Sequence, residues 1–166
     1  MKKIVVAVIL LSFVYSVSGQ GQFAGAKIKP LIGKKFNNDR VLPGLPEYQY
    51  KEVTLASDKE DVEQFSTAIF QKGSTYLVLF MLNSDTTTDD YTILDVLVVK
   101  HVKKNQRVKA VICRQDKKAN IEIVAVTQPG EAEFSQALRA WRFSRDKRRF
   151  EIALIKNVDC MNEGDD

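Results

Sequence analysis

The stretch "TYLVLFMLNSDTTTDDYTILDVLVV", residues 75–99, decides the fold. Residues 75–82 and 91–99 are dense in leucine, β-branched and aromatic residues, which is the composition of buried strands. Between them lies a loop of Asp, Asn, Ser and Thr, and such residues populate turns. The stretch therefore predicts two long strands that are connected by a polar loop.

Further strand patterns lie on both sides of this stretch. They are "YQYKEVTL" (48–55), "RVKAVIC" (107–113), "NIEIVAVT" (120–127), "LRAWRF" (138–143) and "RRFEIAL" (148–154), the last two flanking the turn "SRDK". Because no helix-length segment separates the later strands, the spacing favours antiparallel pairing over a βαβ arrangement. The sequence predicts an α+β fold that is mostly antiparallel β-sheet, with one or two short helices and a C-terminal β-hairpin.

Residues 57–71 support two interpretations. Ser57 and Glu60 form a capping box, and the apolar residues after them fit one helical face. These apolar residues are Val62, Phe65 and Ile69. The alternative is a pair of strands joined at the Lys-Gly pair of residues 72–73. We predict a short helix that gives way to strand near Ser66.

The N-terminus has the layout of a secretory signal peptide. Lys2 and Lys3 precede an apolar run that ends near Val14, and small and polar residues follow. The run holds roughly a dozen apolar residues, whereas a membrane span needs roughly 20. We predict cleavage after Gly19, with a cut after Ala26 as the alternative. The protein would then be secreted or periplasmic, with no stable membrane anchor after cleavage.

Three segments follow from this organisation: a signal peptide at 1–19, an irregular N-terminal segment at 20–47, and a single β-rich domain at 48–166. Loss of the two lysines of the signal peptide leaves 23 basic and 21 acidic side chains, a net charge of +2. This balance offers no extended footprint for a phosphate backbone, so we expect no nucleic acid partner.

Cys113 and Cys160 are the only cysteines. In an oxidising compartment an isolated pair forms a structural disulfide, which the chain-entropy model values at roughly 4 kcal/mol for this spacing. The spacing is not that of a C-x-x-C motif, and the sole histidine, His101, has no second ligand nearby in sequence. We therefore predict one disulfide, no metal site and no cofactor.

Residues 139–150, "RAWRFSRDKRRF", hold six basic residues, one acid and the only tryptophan. Guanidinium groups around Trp141 can clasp a sulfate or phosphate, or stack on a sugar. The alternative is an edge hairpin whose charges prevent strand aggregation, with the tryptophan as a core anchor. We favour the structural edge and retain five residues as candidate ligand-binding residues: Arg139, Trp141, Arg142, Arg145 and Arg148.

Two carboxylates lie within or beside apolar strands, Asp95 and Glu122. Paired carboxylates with shifted pKa values can hydrolyse glycosidic bonds. The acidic loop between the two long strands could be considered as a calcium site, because calcium prefers clustered oxygen ligands. Glycine is missing from its place in the EF-hand pattern, so we interpret the loop as an acidic turn. Its oxygen-bearing residues are Asn83, Asp85, Asp89 and Asp90.

Motifs for nucleophilic catalysis and phosphate binding, G-x-S-x-G and G-x-G-x-x-G, do not occur. We therefore predict a non-catalytic exported binding or interaction domain. Its expected partner is an anionic polysaccharide of the envelope or a protein such as a secreted enzyme. The alternative is a small exported hydrolase that uses paired carboxylates.

Overall fold

The structure is a computed structural model in which residues 23–37, 40–55, 63–83 and 90–162 are described. Its strands form two antiparallel sheets. The first sheet contains β1 (Lys35–Phe36), β2 (Gln49–Leu55), β3 (Gln64–Lys72), β4 (Thr75–Asn83) and β5 (Tyr91–Val99), in the order β1-β5-β4-β3-β2. Together with the second sheet it confirms the predicted fold, which is mostly antiparallel β-sheet.

The second sheet is built from the C-terminal half of the chain. It contains β6 (Arg107–Ala110), β7 (Cys113–Gln115), β8 (Lys118–Ala119), β9 (Ile123–Thr127), β10 (Phe134–Ser144), β11 (Arg149–Ile152) and β12 (Val158–Met161). The order is β6-β9-β10-β12-β7-β8, and β11 also pairs with β10. The long strand β10 therefore carries β9 on one edge and shares the other edge between β12 and β11, which gives the predicted C-terminal hairpin.

Both faces of the first sheet are buried, which explains the continuous apolar run in residues 75–82. Val78 and Phe80 belong to the core between the two sheets, whereas Leu77 and Leu79 belong to a second core on the opposite face. Successive side chains of a strand point to opposite faces, so a strand covered on both sides needs apolar residues at every position.

Aromatic rings fill the core between the sheets. The ring of Phe80 on β4 stacks on Phe143 of β10 with centroids 4.7 Å apart, and meets the edge of Phe150 of β11 at 6.1 Å. All three rings are fully buried. The C-terminal hairpin therefore packs directly on the first sheet and contributes to the core of the sandwich.

The N-terminal segment covers the outer face of the first sheet. It contains the one α-helix among the described residues, α1 (Gly25–Ile28), followed by a 3-10 helix (Lys29–Leu31). Phe36 and Leu42 are buried there against the sheet. Ile93 of β5 accepts a backbone hydrogen bond from Gly33, so residues 23–37 belong to the same folded unit as the strands.

The ambiguous segment is strand from Gln64 onward, and Glu63 before it is a bend. Ser57, Glu60 and Val62 lie outside the described residues, so the predicted helix is untested there. β3 begins two residues before the predicted transition, and a turn at Gly73 and Ser74 joins it to β4, one residue beyond the Lys-Gly pair of the hairpin alternative. Phe65 and Ile69 share one face of β3, because a spacing of four satisfies the helical and the strand periodicity alike.

Residues 107–113 do not form the single predicted strand. The chain breaks at Val111, which has a left-handed φ of 69°, so that β6 pairs with β9 whereas β7 pairs with β12. The next predicted strand, residues 120–127, begins only at Ile123. Apolar patterning could not reveal this break, because the residues on both sides of it are buried in different parts of the sheet.

The predicted disulfide is confirmed. Cys113 of β7 and Cys160 of β12 lie directly opposite each other and are bonded, and both are buried. Beside them the Arg114 guanidinium donates to both carboxylate oxygens of Asp159, at 2.5 and 3.0 Å. Together these two cross-strand links attach the C-terminal strand to β7.

Candidate functional site

The arginines near the tip of the basic hairpin pair with acids of the same chain. Arg148 Nη2 lies 2.7 Å from Glu63 Oε1, and Arg145 Nε lies 3.6 Å from Glu122 Oε1. The Arg145 guanidinium also lies 5.7 Å from the centre of the Phe65 ring, at the start of β3. These two predicted binding residues therefore connect the hairpin to neighbouring elements.

Glu151 gathers three further cations of the hairpin. Lys147 Nζ lies 2.8 Å from its carboxylate, an Arg149 nitrogen 3.4 Å and an Arg142 nitrogen 4.0 Å. The Lys147 hydrogen bond is the largest cause that lowers the pKa of Glu151, and Arg149 lowers it further against the effect of burial. Much of the positive charge of the hairpin is thus balanced within the protein.

Arg139 and Trp141 lie on the face of β10 that points to the first sheet. The guanidinium lies 5.7 Å from the indole centre and donates a hydrogen bond of 2.9 Å to the carbonyl of Lys100. Trp141 packs against the core between the sheets. Arg142 lies one residue along and therefore on the opposite face. The five predicted residues do not form one continuous surface.

A different concavity, which we call the basic cleft, lies where the two sheets open at one edge. Its volume is about 630 Å³. The walls come from β2, the β3–β4 turn, the connection after β5, and β6, which is an edge strand of the second sheet. Three apolar residues contribute to its floor: Ile69, Val102 and Val108. A cavity of this size accommodates a ligand of several chemical units.

Positive charge dominates the basic cleft. Among the residues that the structure describes, five basic residues and one carboxylate, that of Glu52, line it. The basic residues are Lys51, Lys103, Lys104, Arg107 and Lys109. Within the described part of the chain, the first three of these form no ion pair. A concave surface of one sign with apolar walls concentrates its field and attracts counter-ions.

Local backbone structure holds these cations in place. Lys51 is the extra residue of a β-bulge in β2, where Tyr50 pairs with Phe70 and Glu52 with Ile69, and a bulge re-aims its side chain. On the other side, Val102 donates its N–H to the carbonyl of Ser74, which attaches the connection to the β3–β4 turn.

The lysines of the connection lie on a closed turn. The N–H of Gln106 donates to the carbonyl of Lys103, and the N–H of Lys103 donates to the side-chain oxygen of Gln106. Arg107 donates from one nitrogen to the carbonyls of Lys104 and Gln106. Lys103 and Lys104 are exposed at this turn. The turn therefore presents two adjacent ammonium groups to solvent.

Tyr76 supplies an aromatic ring and a hydroxyl group to the cleft. Partial burial raises the pKa of Tyr76 above its usual value, whereas the charge of Arg107 and a hydrogen bond with Gln71 oppose the shift. The phenol is therefore protonated at neutral pH and serves as a hydrogen-bond donor or acceptor. Its half-buried ring offers an apolar face to a ligand.

A second concavity of about 380 Å³ holds two carboxylates, those of Asp116 and Asp159. Asn157 donates a hydrogen bond of 2.6 Å to Asp116. The carboxylate of Asp159 is held by Arg114, and this pairing raises the pKa of the arginine. Each carboxylate thus already has a protein partner.

Asp95 and Glu122, the predicted catalytic pair, line neither concavity. Asp95 is fully buried, and its two oxygens accept hydrogen bonds from the N–H groups of Val96 and Phe150 at 2.8 Å each. Glu122 precedes β9 and pairs with Arg145. Among the described residues no cluster of three metal-ligating side chains occurs, and His101 is exposed directly after β5.

Sequence reasoning missed the basic cleft, although a signal for it exists. Residues 100–109, "KHVKKNQRVK", hold five Lys and Arg residues and no acid. The hairpin at 139–150, in contrast, contains Asp146 and is followed directly by Glu151. Lys51 could not be associated with this run, because it lies about fifty residues earlier in the chain and is brought there only by the pairing and packing of the sheets.

Comparison of the chain with protein-family models, with curated proteins and with solved structures finds no match. In the part of the chain that the structure describes, no helix is long and apolar enough to cross a membrane. The disulfide between Cys113 and Cys160 is a feature typical of oxidising, extracellular environments.

Proposed function

We propose that this chain is an exported, non-catalytic binding domain that holds an anionic partner in the basic cleft. The observation that carries the proposal is the charge of that concavity, in which five cations and one carboxylate of the described residues surround about 630 Å³. Anionic groups entering it would meet several cations at once, and release of counter-ions would favour the complex.

The basic hairpin supports this proposal less well than the cleft. Glu63, Glu122 and Glu151 already lie beside its cations, and an anionic partner would have to compete with them. Arg139 contributes indirectly, because its hydrogen bond to Lys100 supports the connection that carries Lys103.

Retention on a sulfated polysaccharide matrix tests the proposal. Lys103→Glu with Lys104→Glu should elute at clearly lower salt than the unaltered protein, because two exposed cations of the cleft are reversed. The matched control is Lys117→Glu with Lys118→Glu, which makes the same change of charge near β8 at the opposite edge of the second sheet. Equal losses in the two variants would mean that only net charge matters, and the cleft would not be the site.

Export forms the second part of the proposal, and two observations support it. The first is the tripartite N-terminal pattern, and the second is the disulfide. Phe23 and Ala24 pack into the folded unit, so cleavage after Gly19 preserves the core whereas cleavage after Ala26 removes both residues. The mass of the protein recovered outside the cytoplasm should correspond to a chain that begins at Gln20. An intact Met1 would overturn export by this route.

The non-catalytic part rests on the positions of the carboxylates. Asp95 has no exposed surface through which a substrate could reach it, and Glu52 is the one carboxylate among the described residues that line the basic cleft. Incubation with anionic oligosaccharides should release no new reducing ends. Release that is lost in Glu52→Gln or Asp116→Asn would establish the hydrolase alternative instead.

A further inference from the structure

We infer that the ligand of the basic cleft is an extended polyanionic polysaccharide, in which negative charges repeat along a chain of sugar units. This inference rests on the proposed function and names the ligand class for the same site. The arrangement of the charges, the polar and aromatic lining and the open edge of the sandwich each support it.

The cations of the cleft come from three separate segments of the chain. Lys51 comes from β2, Lys103 and Lys104 from the connection after β5, and the other two from β6. Arg107 and Lys109 alternate with Val108 along β6, so their Cα atoms are about 6.8 Å apart on one face of the strand. A row of separated charges matches a ligand that carries one anionic group after another.

Compact anions are usually held in a different way. A phosphate or sulfate ion is bound by the fork of an arginine or by backbone N–H groups at a helix end. Here one nitrogen of Arg107 already donates to two carbonyls of its own turn, and strands and turns form the lining. The structure thus offers several long lysine side chains at a rim, which suit charges that are spaced along a polymer.

The remainder of the lining suits sugars. Tyr76 provides a half-buried ring, which can pack against the apolar face of a pyranose, as well as a hydroxyl group. Ser74, Gln71 and Gln106 add groups that can donate and accept hydrogen bonds. Sugar hydroxyls both donate and accept hydrogen bonds, so they use partners of both kinds. The half-buried ring beside these polar groups therefore suits a polysaccharide.

An edge position gives a long ligand room to continue. Among the strands that the structure describes, β6 pairs with β9 alone and β2 pairs with β3 alone. The cleft lies between these two edge strands, so a linear ligand can cross it and extend beyond it in both directions. Recognition of an internal part of a polymer follows from this position.

A length series tests the inference by titration calorimetry on the full exported chain. The probes are sulfated oligosaccharides from two to ten sugars, neutral oligosaccharides of the same lengths, inorganic phosphate, and poly-glutamate of matched charge. Affinity for the sulfated series should rise at least tenfold from two to six sugars and then level off as the cleft fills. Lys103→Glu with Lys104→Glu should lower the affinity for the long members at least tenfold, whereas Lys117→Glu with Lys118→Glu should lower it less than threefold.

The outcomes separate this inference from the proposed function. If inorganic phosphate binds as tightly as the long oligosaccharides and competes with them one for one, the polymer assignment is wrong but the anionic site remains. If poly-glutamate binds more tightly than the sulfated series, and the lysine pair abolishes that binding, the partner is an acidic protein. If the affinity for neither the polymers nor phosphate changes when Lys103 and Lys104 are replaced, the proposed function itself is wrong. Loss of affinity in Tyr76→Ala, with affinity largely kept in Tyr76→Phe, would support packing of a sugar on the ring.

Discussion

Asp95 of β5 and Phe150 of β11 link the two sheets through a hydrogen bond of 2.8 Å between a carboxylate oxygen and a backbone N–H. Asp95 has no exposed surface, and its other oxygen accepts the N–H of Val96. A carboxylate that is surrounded by an apolar strand therefore acts as a connector, because it satisfies two buried donors that would otherwise lose their hydration.

Asp95→Asn should lower the free energy of unfolding by about 2–3 kcal/mol, because the amide nitrogen would face a buried N–H donor. Urea unfolding followed by the fluorescence of Trp141, the only tryptophan, measures the change. Asp90→Asn, at the exposed residue before β5, is the control and should be nearly neutral. A cost for Asp95→Asn below about 0.5 kcal/mol would contradict the role of connector.

Removal of the disulfide by Cys113→Ala with Cys160→Ala should cost about 4 kcal/mol, since the bond closes a long loop in the unfolded chain. Urea unfolding of the variant and of the oxidised protein measures the difference. As a control, iodoacetamide should modify neither cysteine in the oxidised protein and both after reduction in denaturant. Equal midpoints for the two proteins would show that the bond does not stabilise the fold.

Arg142→Glu with Arg148→Glu reverses two charges of the hairpin. This variant should lose no more retention on a polyanion matrix than the control variant, Lys117→Glu with Lys118→Glu. Both arginines are about half exposed, and exposed ion pairs contribute about 0–1 kcal/mol each, so the fold should survive. A salt gradient on the sulfated matrix measures the elution. If this variant loses retention while the cleft variant keeps it, the binding face is the hairpin.

The loss of stability of the folded protein at acidic pH should depend in part on Glu151. Its pKa in the folded protein is held below the ordinary value of 4.5, mainly by the Lys147 hydrogen bond. The resulting stabilisation is present above that ordinary value and is lost as the pH falls through the lower folded-state value. Glu151→Gln should therefore flatten the decline of the urea midpoint below about pH 4.5, whereas exposed Glu131→Gln should leave the decline unchanged. An identical decline in all three proteins would disprove this contribution.

The sequence predicts the strands well because burial leaves a direct mark on composition. β4 and β5 are covered on both faces, so nearly every residue is apolar and the runs are evident. The break at Val111 left no such mark, because a change of strand partner alters the direction of the backbone while the side chains on either side remain buried.

The candidate site was predictable only in part. The charge of residues 139–150 is visible in sequence, but its neutralisation by Glu63 and Glu122 depends on tertiary contacts. The basic cleft combines Lys51 with a run some fifty residues later, and only the pairing of β2 with β3 and the packing of two sheets bring them together. Asp95 is unusual within an apolar strand, but its hydrogen bond to Phe150 depends on the packing of the hairpin against the first sheet, which leaves no signal in the sequence.

The N-terminal segment over the first sheet has a consequence for anyone who expresses this protein. A shortened version starting at Tyr48 would expose the hydrophobic surface of Leu77, Leu79 and Met81 to solvent. Such molecules would aggregate through this surface and precipitate. Preparations intended for crystallisation or spectroscopy should therefore retain Phe23 and everything after it.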